Sequence, residues 1–228
     1  MRNLVGLALV TALLAVGCAL INPSLSGQIP ADGPSAVMAE LHKDDVPIAS
    51  PAAKDVAPNA VTTEEVTYGT LDGIPFNGYL AKPADVSSPL PGLIVIQEWW
   101  GLNDNIRTMT RRLAAEGYTA LAVDLYDGEV AENRDQAKTL VQAAIQNSER
   151  LTQNVVAAYG YLTDEQQSPT VGTIGWCFGG TWSLNTALAL PTELDATVIY
   201  YVGLISTDPV TLEPLLMTIQ CHFGALDS

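Results

Sequence analysis

The stretch Val171-Gly-Thr-Ile-Gly-Trp-Cys-Phe-Gly-Gly180 constrains this chain more than any other. It sets a cysteine between two glycines, Gly175-x-Cys177-x-Gly179. Apolar residues before the motif read as a buried strand, and Thr181 to Leu190 after it reads as a helix. A chain that turns from strand to helix this sharply forces the central residue into strained backbone geometry. The residues two positions away on each side must lack bulk, which glycine provides. The turn lifts the central side chain clear of the sheet and aims backbone N–H groups of the new helix at the same spot, where an oxyanion would develop. Serine is the usual residue at such an apex. Here it is Cys177, whose thiolate is the better nucleophile and needs less help to form. The same letters also fit a Gly-rich turn around a buried cysteine, so the rest of the chain has to decide.

From Val61 onward the pattern alternates strands with helices. Glu65 to Thr70 and Ile74 to Lys82 alternate apolar and polar residues around Asp72-Gly73, a hairpin signal. Gly92 to Gln97 and Thr119 to Asp124 are short apolar runs suited to strands buried on both faces. Between them Ile106, Met109, Leu113 and Ala114 recur at helical spacing from about Asn105 to Glu116, and Gly117 closes the helix. Helical patterns also fill about Asn133 to Gln146 and Glu149 to Leu162; Ala196 to Val202 and Leu215 to Phe223 read as further strands. Such alternation predicts an α/β fold, a mostly parallel sheet with helices on both faces. Ligands bind these sheets at the carboxyl ends of the strands, where Glu98, Asp124, Cys177 and Asp227 all fall.

The 228 residues suffice for one such domain plus an N-terminal extension. A formal charge of −15 argues against nucleic acid or an anionic membrane surface as partner. Residues 1–21 read as a targeting segment, with Arg2 ahead of the apolar run Leu4 to Val16. The run closes on Leu14-Ala-Val-Gly-Cys18, which resembles the lipobox of bacterial lipoproteins and makes Cys18 a lipidation candidate. Simple cleavage and an uncleaved anchor are the alternatives, and all three place the domain outside the cytoplasm, in the periplasm or beyond. Residues 22–60, rich in Ala, Pro, Ser and Asp, read as a flexible tether ahead of a domain over 61–228. Cys177 and Cys221 fall on strands separated by a third, roughly 10 Å apart, too far for a disulfide; Cys221 is expected as a small buried core residue. Two histidines and three cysteines lie scattered without ligand spacing, so no metal site is expected.

Together these features resemble the dienelactone hydrolase family of the α/β-hydrolase fold, over Val61 to Ser228. Three motifs carry the resemblance: Ile96-Gln-Glu-Trp-Trp-Gly-Leu-Asn103, Ala122-Val-Asp-Leu-Tyr126 and Gly175-Trp-Cys-Phe-Gly-Gly180. The family uses a Cys–Asp–His triad to open small carboxylate-bearing lactones through a thioester, without a cofactor. By resemblance Cys177 is the nucleophile, Glu98 the carboxylate that contacts it and Asp227 the triad acid. The backbone N–H groups of Phe178 and Trp99 become the oxyanion donors, and Arg134 the cation that binds the substrate carboxylate. Lys138 stands where well-known relatives carry tyrosine.

The residues argue some of this on their own. Glu98 follows a buried strand and is expected to be partly desolvated, which favours sharing a proton near neutrality. Asp124 is expected instead to tie loops together through backbone hydrogen bonds. Trp99 and Trp100 are expected to wall the cleft, and Trp176 to pack. The family's triad histidine comes further along than Ser228, and His222, on the same strand as Asp227, is not placed to replace it. The expectation is a C-terminally incomplete chain, lacking the last helix and strand region, inactive as it stands, with the apolar side of Leu215 to Phe223 open to solvent. Three functions compete: a hydrolase of small esters or lactones, a broad carboxylesterase, and a non-catalytic cell-envelope binding protein.

Overall fold

Asp72 and Gly73 both take positive φ, +52° and +79°, the conformation that lets a two-residue turn match the twist of its strands. They join β1 (Val61–Leu71) to β2 (Ile74–Pro83) as an antiparallel pair. This computed structural model describes Pro47, Ala57 and residues 60–202 and 205–224. The targeting segment with Cys18, nearly all of the tether, and Asp227 lie outside the described residues.

After the hairpin come β3 (Gly92–Ile96), α1 (Asp104–Ala115), β4 (Thr119–Val123), α2 (Arg134–Gln146) and α3 (Ser148–Gly160), which runs into a π-helical turn at Tyr161–Glu165. They are followed by β5 (Val171–Trp176), α4 (Phe178–Ala189), β6 (Ala196–Tyr200), α5 (Pro209–Leu212) and β7 (Thr218–His222). The strands form one seven-stranded sheet in the order β1-β2-β4-β3-β5-β6-β7. β2 pairs antiparallel with β4, and the remaining pairs are parallel. The expected α/β architecture is therefore the observed one.

The two faces of the sheet explain why β3 and β4 read as unbroken apolar runs. Ile94, Ile96, Leu121 and Val123 point to one face and pack with Leu151, Val155 and Ala158 of α3 and Trp182 and Ala187 of α4. Their neighbours Leu93, Val95, Ala120 and Ala122 point to the other and meet Ile106 and Ala114 of α1. Alternation is invisible where both faces are covered. Each buried Leu or Ile removed from water contributes about 1.5–3 kcal/mol. Helices start where side chains satisfy their first N–H groups: Asn103 accepts from Ile106 N at 3.1 Å, and Asn133 from Gln136 N at 3.1 Å.

β7 is different. It is an edge strand, and all its residues but His222 are exposed. Leu216, Phe223 and Ile219 are 78%, 51% and 37% exposed, as expected for this apolar stretch. Cys221, expected in the core, is exposed and free. A β-branched, apolar sequence reports a strand but not whether anything lies against it. The disulfide argument holds for the expected reason: β6 separates β5 from β7, and Cys177 is free as well.

Candidate active site

The register of the parallel strands assembles the site. Ile96 of β3 pairs with Gly175 of β5, so two residues further on Glu98 and Cys177 emerge side by side. Trp176 pairs with Tyr200 of β6, which brings Tyr201 beside Cys177 on the other flank. Ile96 also pairs with Val123 of β4, which carries Leu125 and Tyr126 up next to Glu98. Four strand ends thus meet at one edge of the sheet, the carboxyl edge where α/β sheets bind ligands.

Cys177 caps α4 with φ +56° and ψ −118°, a conformation L-residues rarely hold. What holds it there is backbone. Cys177 N donates to Tyr200 O at 3.1 Å, and Gly180 N donates to Cys177 O at 3.0 Å. The flanking glycines are required by close approach. A Cβ on Gly175 would run into the Gly179 carbonyl, and one on Gly179 would lie 2.5 Å from the Gln97 carbonyl oxygen and closer still to that of Ile96. α4 can therefore press onto β3 only because residue 179 has no side chain.

The thiol is half-buried, and the backbone N–H groups of Phe178 and Trp99 both hydrogen-bond to it. They are the two groups that the family resemblance names as oxyanion donors. Burial pushes the Cys177 thiol above its ordinary range; the Phe178 N–H pulls it back, the Glu98 charge pushes it further up, and the Trp99 N–H opposes that. The resting group is thus a thiol. Desolvation outweighs two N–H donors when the nearest charge is negative.

Glu98 is half-buried and its Oε1 accepts a hydrogen bond of 2.7 Å from the Tyr201 hydroxyl. Tyr201 sits at φ +34°, with its N–H donating to His222 O at 2.8 Å. Its phenol is pushed well up by burial and by the charges of Glu98 and Cys177, so it stays protonated and can only donate to Glu98. Trp99 and Trp100, next after Glu98 in the chain, meet edge to face at 5.0 Å, and Trp100 is buried against Ala131 and Ala137. Trp176 stacks on Tyr200 at 5.8 Å, and Tyr200 on His222 at 4.4 Å. His222 is the one histidine among the described residues, and its ring belongs to this stack.

Asp124 does what the sequence suggested. Its two oxygens accept from Tyr126 N at 2.9 Å and Gly128 N at 2.5 Å, clamping the loop after β4. Arg134 opens α2, half-buried, on the helix whose Ala137 packs with Trp100 and Ala131. Lys138 is exposed and 3.8 Å from Asp135. No cluster of metal-ligating side chains occurs among the described residues.

Two residues escaped the sequence reading. Tyr201 follows a strand end, the position that marked Glu98 and Cys177, and that signal could have found it. Tyr126 closes a motif whose role went to Asp124. It is 6% exposed, its ring lies 5.5 Å from that of Phe178, and its hydroxyl has no hydrogen-bond partner among the described residues.

Residues 76–228 match the dienelactone hydrolase family. Protein usf of Aquifex pyrophilus is 37% identical over 136 residues, covering 57% of this chain and 58% of its own length. A Synechocystis protein provisionally named a carboxymethylenebutenolidase is 33% identical over 166 residues, covering 66% of this chain and 67% of its own. The chain thus spans about three fifths to two thirds of the length of these relatives. Among solved structures, one named m3DLH superposes with a TM-score of 0.64 at 29% identity, over 73% of this chain and 70% of the other. A dienelactone hydrolase-like promiscuous phosphotriesterase from metagenomic libraries gives 0.65 at 27% identity, over 73% of this chain and 70% of the other.

Proposed function

This chain belongs to the dienelactone hydrolase family, and from that premise we propose that it cleaves small esters or lactones by acyl transfer to Cys177. The observation that carries the reading is the Cys177 sulfur itself. It is presented on a strained apex, held by two backbone N–H groups and faced by one carboxylate.

In this mechanism Glu98 takes the thiol proton as the substrate carbonyl enters the cleft. Tyr201 occupies Oε1 of that carboxylate and leaves Oε2 for the proton. The thiolate attacks the carbonyl carbon, and the oxyanion takes over the N–H groups of Phe178 and Trp99, worth about 3 kcal/mol per donor in comparable sites. The C–O bond breaks, the alkoxide collects the proton from Glu98, and the acyl group remains on Cys177 as a thioester. Water then attacks the thioester and restores the thiol. Asp227 serves as the triad acid and Arg134 receives a substrate carboxylate, as the family resemblance implies. The enzyme is exported and lipid-anchored through Cys18.

A second reading draws on one observation: the ring of His222, the one histidine among the described residues, is stacked on Tyr200. If no imidazole activates water, Cys177 accepts an acyl group once and keeps it, giving a binding protein with a reactive thiol. Steady-state assays with a dienelactone and with p-nitrophenyl acetate separate these. The hydrolase gives many turnovers per chain, with the lactone favoured over the simple ester. One equivalent of p-nitrophenolate and then silence supports the binding protein, and no release at all contradicts both.

A further inference from the structure

Cys177 and Tyr201 follow the ends of neighbouring strands, and both hold φ values that L-residues rarely adopt, +56° and +34°. Such a conformation persists only where the surroundings hold it. The same device holds both residues. Cys177 N donates to Tyr200 O at 3.1 Å, and Tyr201 N donates to His222 O at 2.8 Å. Each is thus fastened to the last residue of the next strand over. Trp176, Tyr200 and His222, the last residues of β5, β6 and β7, form one row across the sheet by register. Their rings stack in the same order, Trp176 on Tyr200 at 5.8 Å and 20°, and Tyr200 on His222 at 4.4 Å and 8°. Cross-strand ring pairs of this kind stabilise the strand pairing beneath them. β5 and β6 have a neighbour on each side, whereas β7 is the edge, and His222 is its one residue that is not exposed. The His222 ring is therefore the side chain that anchors the end of β7, and the His222 carbonyl is the acceptor for the Tyr201 N–H.

We propose that His222 is a positioning residue: its ring, stacked on Tyr200, fixes the carbonyl that holds Tyr201, and Tyr201 in turn holds Oε1 of Glu98. This chain of contacts reaches the proton acceptor from the edge of the sheet without touching substrate. The inference rests on the acyl-transfer reading above, in which Glu98 takes the thiol proton, and gives the edge strand a part in that step. What the row needs at residue 222 is a flat ring rather than a proton-carrying imidazole. His222→Phe keeps that ring, and His222→Ser removes it.

The test follows the p-nitrophenolate burst from p-nitrophenyl acetate between pH 6 and 9, with the full chain. His222→Ser is expected to slow acylation about fivefold, while His222→Phe stays within about twofold of the parent. The pH profile of His222→Ser moves in the same direction as that of Tyr201→Phe. Added to Tyr201→Phe, His222→Ser slows acylation further by less than about 1.5-fold, because both substitutions cut one chain of contacts. His222→Leu repeats the comparison with apolar bulk kept on β7, so a fold lost in the first variant does not end the test. Equal slowing with and without the Tyr201 hydroxyl, His222→Phe as slow as His222→Ser, or no slowing at all overturns the role of His222 while leaving Cys177 acylation intact. Failure of the unmodified protein to release p-nitrophenolate removes the acyl-transfer reading and this inference with it.

Discussion

Cys177 and Cys221 lie on one sheet, two strands apart, at the carboxyl end of β5 and on edge strand β7. Their surroundings share almost nothing. Around Cys177 the backbone is strained, glycines let α4 press onto β3, two N–H groups reach the sulfur and a carboxylate faces it. Around Cys221 the strand is exposed, and Leu216 and Phe223 nearby stand in solvent. Reactivity by exposure alone would favour Cys221. What makes a cysteine a site is the set of fixed dipoles and charges built around it, and only Cys177 has one.

The sharpest way to break this contrast is to remove each sulfur in turn. Cys177→Ala is expected to lower ester cleavage by about a thousandfold or more, whereas Cys221→Ser leaves it unchanged within about twofold. Initial rates with p-nitrophenyl acetate check both, and a comparable loss from the two substitutions would erase the distinction.

The packing side of the contrast is tested at glycine. Gly179→Ala places a methyl on the carbonyls of Ile96 and Gln97 and should cost about 3 kcal/mol of stability. Gly160→Ala, at the end of α3 where a Cβ meets nothing within 4 Å, should gain about 0.5–1 kcal/mol. Urea denaturation of the two variants checks the signs.

Glu98→Gln separates the two things that carboxylate does. Its charge raises the Cys177 pKa, so the variant's thiol ionises at lower pH and alkylation by iodoacetamide moves to lower pH with it. Ester acylation nonetheless falls by about a hundredfold, because the proton acceptor is gone. In the parent, alkylation of Cys177 rises only as pH climbs through a pKa above that of an ordinary cysteine. Rates measured from pH 6 to 10 with both reagents read out the opposite movements. If both fell together, Glu98 would be supporting structure rather than moving a proton.

Tyr201→Phe should have a smaller effect than Glu98→Gln, about tenfold on acylation, through loss of the 2.7 Å bond that orients Glu98. The pH profile of acylation shifts with it, while iodoacetamide reactivity of Cys221 stays the same. An unchanged pH profile would leave Tyr201 a wall residue only.

Much of this was legible in the chain. Asp72-Gly73 announced its hairpin by the positive φ both residues must adopt. The Gly175-x-Cys177-x-Gly179 spacing announced the elbow because no other residue fits where backbones touch. Trp99 and Phe178 were named by the family resemblance, whereas Glu98 followed from lying next to a strand end. Tyr126 and Tyr201 did not, because β4, β3, β5 and β6 neighbour one another in an order the chain does not follow. Only register brings their strand ends to the edge of the sheet that carries the sulfur. Cys221 was misread because an apolar strand looks the same whether or not something covers it. The direction of the thiol's pKa was not legible, because an electropositive turn and a dry, acidic pocket act in opposite directions and only the structure shows that the pocket prevails.

The most direct measurement maps the acyl group itself. The protein is mixed with p-nitrophenyl acetate at pH 7.5, quenched in acid within seconds and digested, and the cysteine peptides are weighed. The account predicts an acetyl thioester on Cys177 and none on Cys221. Acetylation confined to lysines or Cys221, with Cys177 unmodified, would contradict it.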